Sequence, residues 1–242
     1  MKKVTVFIDG QNLWHSLRDI GLRESDIDWN KLINSLLTDD DELVRSYWFR
    51  PLKIQEIELR FNGFAQRYLR TNFDKSTATA HCKSLKSKKL DGDIFKQISS
   101  EFTLSKNWLS DQKQTFSQVD EKYSQIATKY DDLEIYRTGI LKVDPFKRTI
   151  ISEKGVDVAL AVIMAKGALQ DKYDKAILIS GDFDYQEAVQ VVKDATKKIH
   201  IVRFHKGKPP KNNYSSRQLA SMADKLIDVY QSQLETDFKN ED

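Results

Sequence analysis

Apolar and polar residues alternate along this chain in blocks that predict short buried strands separated by helices. The clearest strand signal is the unbroken apolar run Ala176–Ile179, which ends abruptly at Ser180. A short run that is apolar at every position is typical of a strand buried on both faces, most often at the centre of a parallel sheet. A second run, Val4–Asp9, is rich in β-branched and aromatic residues and ends at Gly10. It predicts another strand of the sheet.

The other predicted elements continue this alternation. Further strands are predicted over Leu43–Phe49, Leu133–Gly139 and Lys198–Phe204, with a small hairpin or extended excursion over Lys142–Ile151. Helices are predicted over about residues 13–20, over about 28–37 with Asp28 as N-cap, and over about 186–195. A further helix is predicted to begin at about Ser152–Asp157 and to end at Leu169, and an amphipathic C-terminal helix is predicted over about 216–234. Strands that alternate with helices indicate βαβ units, so the fold class is α/β, with a mostly parallel sheet covered on both sides.

Residues 53–131 have a different character. Apolar residues recur there at helical intervals on both sides of a stretch rich in Thr, Ser and Lys. We therefore predict a mostly helical insertion, with a loop over about residues 71–90. The chain of 242 residues is expected to form a single domain that carries this insertion.

Composition narrows the class of protein. Hydrophobic residues make up 40% of the chain and charged residues 31%, which favours a globular core over disorder. No apolar run approaches the roughly 18 residues of a membrane helix, and no signal peptide opens the chain, so no membrane partner is expected. The single cysteine, Cys82, excludes an intramolecular disulfide and a Cys-rich zinc site. These features favour a cytoplasmic protein.

Basic residues are concentrated in two stretches, although the net charge is only +3. The first contains Lys86, Lys88 and Lys89, and the second contains Lys206, Lys208 and Lys211. Such runs are either ordinary solvated surface or sites for a polyanion. They become candidate nucleic-acid-binding residues if an acidic catalytic site lies near them, and Ser180 is a further candidate for contact with a nucleic-acid backbone.

Carboxylates occur where predicted strands and helices end. Asp9 follows one strand, Asp157 lies at a helix start, and Asp182 and Asp184 follow another strand, while Asn12 adds a neutral oxygen. The carboxyl ends of parallel strands are where α/β sheets bind ligands, and an all-oxygen cluster suits Mg²⁺ or Mn²⁺. Each aspartate could instead serve only as a helix cap or turn residue. The four histidines show no metal-ligand spacing.

Three stretches carry a resemblance to a known family. They are Phe7–Leu13 (FIDGQNL), Glu153–Leu160 (EKGVDVAL) and Ile179–Asp184 (ISGDFD). Together they resemble the signatures of NYN-domain proteins, the LabA-like branch of the PIN-like nuclease superfamily. The likeness extends over roughly residues 1–50 and 133–230, whereas residues 53–131 resemble nothing we can name.

The resemblance implies a Rossmann-like three-layer α/β/α sandwich with an acidic divalent-metal centre and ribonuclease activity. On this basis Asp9, Asp157 and Asp182 would hold Mg²⁺ or Mn²⁺, and Asp184 would complete the shell or accept a proton from water. Asn12 would orient water or a phosphate oxygen. The substrate would be RNA, single-stranded or structured, cleaved to leave 5′-phosphate and 3′-hydroxyl ends.

One departure from the family pattern leaves other functions open. The family commonly has another aspartate about six residues after the one that matches Asp157, and here Ile163 occupies that position. A catalytically inactive module that binds RNA or protein is therefore an alternative. A small-molecule phosphatase is a weaker one, because such enzymes usually need Asp-x-Asp after the first strand and Asp9-Gly10-Gln11 does not supply it. The oligomeric state also stays open, a homodimer included.

Overall fold

The computed structural model of the protein describes residues 1–209 and 217–240, and for Arg217 and Gln218 it describes the backbone alone. Its strands are β1 (Lys2–Asp9), β2 (Asp41–Ile54), β3 (Leu133–Asp144), β4 (Thr149–Lys154), β5 (Lys175–Ile179), β6 (Lys198–His205) and β7 (Lys225–Tyr230). Its helices are α1 (Gly10–Asp19), α2 (Trp29–Ser35), α3 (Phe61–Asn72), α4 (Lys75–Lys86), α5 (Gly92–Thr128), α6 (Val156–Leu169), α7 (Gln186–Asp194), α8 (Arg217–Met222) and α9 (Gln231–Thr236).

The strands form one sheet in the order β4-β3-β2-β1-β5-β6-β7. β1 pairs in parallel with β2 on one side and with β5 on the other, and the parallel pairing continues through β6 to β7. β1 and β5 are thus interior strands, which explains why both are apolar along nearly their whole length.

Helices cover both faces of this sheet. Successive β1 side chains point to opposite faces, so Val6 and Ile8 pack with α1, α2 and α9, whereas Phe7 packs with α6, α7 and α8. The predicted three-layer α/β/α fold with a mostly parallel sheet is confirmed.

The chain divides into two compact units. The first comprises residues 1–52, 122–140 and 153–242, and it contains most of the sheet with the helices that cover it. The second comprises residues 53–121 and 141–152, and it contains α3, α4 and most of α5 together with the tip of the β3-β4 hairpin. Within the described residues, no helix has both the length and the apolar character needed to cross a bilayer.

The second unit is mostly helical, as predicted, and has a core of its own. Phe64 and Leu69 of α3 pack with Ile98 of α5, and Arg67 forms two hydrogen bonds, of 3.0 and 2.7 Å, with the carboxylate of Asp144. The predicted loop over residues 71–90 is wrong, because α4 occupies most of it. The side chain of Asp74 accepts hydrogen bonds from the first backbone N–H groups of α4, and this cap compensates for the weak helix propensity of the Thr and Ser residues that follow.

Two other predicted boundaries are wrong. The single C-terminal helix over about 216–234 is divided by β7, whose Leu226–Val229 segment pairs with Ile201–Phe204 of β6 and extends the sheet. β2 does not end at Phe49, as predicted, but continues through Pro51 to Ile54. Its pairing with β1 ends at Phe49, so the missing N–H of Pro51 removes no hydrogen bond to β1.

Candidate active site

The register of β1 and β5 brings two polar side chains together at the carboxyl edge of the sheet. Ile8 pairs with Ile179, so Asp9 and Ser180 are the next residues of the two adjacent strands. The Ser180 hydroxyl donates a hydrogen bond of 3.1 Å to Oδ2 of Asp9. Asp9 and Ser180 therefore connect the ends of the two interior strands, at the place where parallel sheets bind ligands.

Asp9 is held in place by two further hydrogen bonds. Its Oδ1 accepts the backbone N–H of Asn12 at 3.0 Å, so Asp9 is also the N-cap of α1. Its Oδ2 accepts the hydroxyl of Tyr185 at 3.0 Å. With 7% exposure and three donors, the Asp9 carboxylate has a fixed position.

The surroundings of Asp9 also change its acidity. Burial raises the pKa of Asp9, because the hydrogen bonds to the carboxylate only partly offset the loss of water. The neighbouring charge of Asp182 acts in the same direction. Burial likewise raises the pKa of Tyr185, with a further contribution from the negative charge of Asp9, so this tyrosine is a lasting hydrogen-bond donor.

A small cavity lies beside Asp9, and we call it the acidic pocket. It has a volume of about 160 Å³. Its lining includes Asp9, Asn12, His15, Glu153, Asp157 and Asp182. Three of the four predicted catalytic aspartates thus face one cavity. A capping role does not exclude a shared site, because Asp9 and Asp182 accept backbone N–H groups while also lining the pocket.

Glu153 is the pocket residue that the sequence reasoning did not select. It lies near the end of β4, is half-buried, and its Oε2 is buried without a hydrogen-bond partner among the described residues. Burial raises the pKa of Glu153 to about 7, and the charges of Asp9 and Asp157 add to this effect while Arg50 opposes it. The sequence signal that could have identified Glu153 was its position in the family-like stretch Glu153–Leu160, four residues before Asp157.

A close contact of two glycines fixes the segment that carries Glu153 and Asp157. Gly155 adopts a φ of 85° as the N-cap of α6, a conformation that favours glycine. A Cβ atom at Gly139 would lie 2.4 Å from the carbonyl oxygen of Lys154. β3 therefore lies close against the start of α6. This contact positions Glu153 and Asp157 at the edge of the sheet.

Other predicted site residues occupy different environments. Asp184 is exposed and does not line the acidic pocket; its backbone N–H donates to Oδ1 of Asp182 at 3.0 Å. The Ser180 hydroxyl is buried and engaged, because it donates to Asp9 and accepts the Asp182 N–H at 3.1 Å. Oδ1 of Asn12 accepts the N–H of Gly181 at 2.9 Å.

The predicted nucleic-acid-binding lysines are surface residues. Lys86, Lys88 and Lys89 lie at and after the end of α4 in the second unit, and all three are exposed. Lys206 and Lys208 follow β6 in the first unit and are exposed as well. Lys211 lies outside the described residues.

The donor groups of the acidic pocket fit a hard divalent cation, although the pocket is not a preassembled metal site. Its carboxylates supply the oxygen ligands that Mg²⁺ and Mn²⁺ prefer, and Oε2 of Glu153 lacks a partner. Across residues 1–209 and 217–240, however, no three His, Cys, Asp or Glu side chains are close enough to hold a metal ion together. Ile163 is half-buried and packs in the apolar cluster of α6 and α7, so it adds no oxygen.

The three-layer fold places acidic side chains at the carboxyl edge of a mostly parallel sheet, where α/β proteins bind their ligands. The chain belongs to the NYN domain family, whose model matches residues 84–231. NYN domains are part of the PIN-like nuclease superfamily, are typically nucleases and generally use divalent metals. The predicted family is confirmed, whereas none of these findings supports a homodimer.

One solved structure is similar over nearly the whole chain. It is the crystal structure of a protein of unknown function from Vibrio parahaemolyticus, with 16% sequence identity and a TM-score of 0.44 over 99% of this chain and 96% of that chain. No curated protein matches the chain.

Proposed function

We propose that this protein is a ribonuclease that hydrolyses RNA phosphodiester bonds with the aid of Mg²⁺ or Mn²⁺. The observation that carries the proposal is the convergence of Asp9, Glu153, Asp157 and Asp182 on one small cavity at the carboxyl edge of the sheet. Carboxyl groups that line one cavity of about 160 Å³ repel one another when they are ionised, and a divalent cation would relieve that repulsion. Membership of a typically nucleolytic family supports the same reaction.

The residues have different parts in this proposal. Asp157 and Asp182 would move toward the cation together with Glu153, because each of them is less constrained than Asp9. Asp9 would provide a fixed carboxylate, since three donors already hold it. A bound divalent ion would polarise the phosphoryl oxygen, lower the pKa of a water molecule and stabilise the leaving oxygen.

Residues around the carboxylates would position the substrate. The side-chain oxygen of Asn12 accepts the Gly181 N–H. The side-chain NH₂ group of Asn12 would therefore donate to a phosphate oxygen or a water molecule. Asp184 is exposed next to Asp182 and would accept a proton from water or join the outer coordination shell. Ser180 acts through Asp9 and the Asp182 backbone, because its hydroxyl is engaged by both.

The exposed lysines would contribute affinity for RNA. Lys86, Lys88 and Lys89 in the second unit and Lys206 and Lys208 in the first offer ammonium groups to phosphates. Contacts of this kind do not read the base sequence, so they would hold single-stranded or structured RNA.

Cleavage of a labelled RNA with Mn²⁺ or with a chelator tests the proposal. The wild-type protein should cleave only with metal, and Asp182→Asn should lose activity by orders of magnitude, because it removes a charge that faces the cation. Asp39→Asn is the matched control, because Asp39 is exposed and does not line the acidic pocket. Both variants should be purified in the same way, so that a contaminating nuclease would appear in all preparations.

The thermal unfolding of the same proteins gives a second readout that needs no substrate. Mn²⁺ at a hundredfold excess over its Kd should stabilise the wild type by roughly 2.7 kcal/mol, and Asp39→Asn should keep this gain. Asp182→Asn should lose most of it. Equal metal responses in wild type and Asp182→Asn would remove the metal centre from the proposal.

A module that binds RNA without cleaving it is the second candidate. It is favoured by the lack of a preassembled metal cluster among the described residues and by the apolar packing of Ile163. Such a module would bind RNA equally well with Mn²⁺ and with chelator and would cleave it in neither case.

A further inference from the structure

A second cavity, which we call the side cleft, opens next to the acidic pocket within the first unit. Its volume is about 550 Å³, and it lies between α1 and the carboxyl ends of β5 and β6. This volume falls in the range of about 300–1,000 Å³ that is usual for small organic ligands.

The side cleft adjoins the acidic pocket through a single residue. Asn12 contributes to the lining of both cavities. The hydrogen bond of 2.9 Å from the Gly181 N–H to Oδ1 of Asn12 ties α1 to the end of β5 at this point. A ligand in the side cleft would therefore lie against Asn12, which also faces the acidic pocket.

The walls of the side cleft combine an apolar floor with a basic rim. Ile20, Ile179 and Val202 are buried in the floor, and Phe204 adds a half-buried ring. Lys206 is exposed at the end of the lining. An apolar surface suits the face of a nucleobase, and a neighbouring ammonium group suits its phosphate.

The charges inside the lining are otherwise compensated within the protein. Arg203 pairs with Asp228 at 2.6 Å, and Asp19 pairs with Arg18 at 3.2 Å. Lys206 is therefore the group in the lining best placed to meet an external phosphate.

A buried histidine forms part of the wall of the same cleft. His205 is 3% exposed, and its Nε2–H donates to Oδ1 of Asp228 at 2.8 Å. Burial would raise the pKa of Asp228, but the hydrogen bonds from His205 and Arg203 outweigh it and lower that pKa, so the acceptor stays ionised. Nδ1 of His205 is buried and has no hydrogen-bond partner among the described residues. The hydrogen bond to Asp228 therefore fixes the ring of His205 at the end of β6, beside the cleft.

From these features we infer that the side cleft binds one nucleotide unit, with its base against the apolar floor and its phosphate toward Lys206. The inference rests on the proposed ribonuclease function for the identity of the substrate, a nucleotide of the RNA strand beside the scissile bond. A free mononucleotide presents the same chemistry. Binding experiments with chelator present test the cleft without requiring any cleavage.

The first experiment fills the cleft from α1. Ser16 is half-buried in the lining, so Ser16→Phe should obstruct the cavity and weaken binding of a short labelled oligouridylate at least tenfold, as measured by fluorescence anisotropy. Ser35→Phe is the matched control, because Ser35 is an exposed residue at the end of α2 that lines neither cavity. It should bind the RNA as the wild type does.

The second experiment removes charge at an exposed position, where folding is not at risk. Lys206→Ala should reduce the slope of log affinity against log salt concentration by about 0.7, the value for one phosphate contact with a single strand. Lys166→Ala, at an exposed position on α6, should leave the slope unchanged.

Competition with uridine monophosphate then identifies the source of the nucleotide. If the mononucleotide displaces the RNA from wild type and binds Ser16→Phe at least tenfold more weakly, the cleft accepts free nucleotides; if it does not compete, the cleft holds a nucleotide only within a strand. Wild-type RNA affinity in both folded Ser16→Phe and Lys206→Ala would overturn the inference, whatever the cleavage assays show. Loss of binding in these variants without metal-dependent cleavage by the wild type would instead reject the nuclease and retain the cleft.

Discussion

The hydroxyl group of Tyr185 donates a hydrogen bond of 3.0 Å to Oδ2 of Asp9, across 176 positions of the chain. Both side chains are buried, so this bond stabilises the ionised carboxylate in a place where water cannot. Tyr185 thereby opposes the effect of burial, which raises the pKa of Asp9.

Replacing Tyr185 with Phe should raise the pKa of Asp9 further and make metal binding require a higher pH. Loss of a hydrogen bond to a charged group should also cost about 1.5–3 kcal/mol of stability. The measurement is the Mn²⁺-induced shift in melting temperature at several pH values. Tyr173→Phe is the control, because the Tyr173 hydroxyl donates to the Met164 carbonyl and is remote from the pocket lining; it should lose stability without moving the pH dependence of the metal response.

Glu153 should make the metal-free protein less stable as the pH rises. Its pKa is raised to about 7 from the ordinary 4.5, so between these values the folded protein holds a proton that the unfolded chain has released. The stability should therefore fall as the pH increases from about 4.5 to about 7, by roughly 1–3 kcal/mol, and then level off.

Glu153→Gln tests this sign, because it removes the titrating group and keeps the shape. Its unfolding free energy should exceed that of wild type above pH 7 and should not show the decline. Glu42→Gln, at an exposed position of β2, should follow the wild-type curve. A wild-type curve that rises over this pH interval, with no difference in Glu153→Gln, would contradict the buried-acid interpretation.

Gly10 should not tolerate a side chain. A Cβ atom there would lie 2.5 Å from both the Phe49 carbonyl oxygen and Cδ of Arg50. Gly10→Ala should destabilise the protein by about 1–3 kcal/mol and displace the neighbouring Asp9, so its Mn²⁺ response should fall too. Gly63→Ala in α3 provides the contrast: nothing lies within 4 Å of its Cβ position, and the substitution should stabilise by about 0.5–1 kcal/mol. Chemical denaturation of both variants measures the difference.

The lysines after α4 offer a test of the second unit. Replacing Lys86, Lys88 and Lys89 with Ala should weaken RNA binding and flatten its salt dependence, by about 0.7 in log–log slope for each lost contact with a single strand. Since all three side chains are exposed, the melting temperature should not change. An unchanged slope would show that this run is solvated surface.

Strong local signals made the interior of the fold predictable from sequence. The run Ala176–Ile179 allows little except a buried strand, and Asp28 was correctly predicted as the N-cap of α2, where its side chain accepts the Lys31 N–H. β7 was missed because its periodicity also fits a helix; what makes Lys225–Tyr230 a strand is the free edge of β6, and sequence alone does not show that edge.

The meeting of Asp9 and Asp182 was the part of the candidate site that the sequence pattern made easiest to predict. Asp9 and Asp182 follow the two interior strands, so their convergence follows from the sheet order. Glu153 lies on β4 of the β3-β4 hairpin. Its position depends on the close approach of Gly139 to the Lys154 backbone, and no local sequence signal predicts that contact. Asp184 shows the opposite case: two residues beyond Asp182 in the same turn, it points to solvent outside the pocket lining.

The bond between Ser180 and Asp9 joins residues 171 positions apart, and this distance has a consequence during protein synthesis. Asp9 is synthesised well before β5 and Ser180, which complete its surroundings. At roughly 5–20 residues per second, the two are separated by an interval on the order of ten seconds. A partly made chain therefore has no assembled acidic pocket, and under the proposed function it could not cut the messenger RNA from which it is being translated.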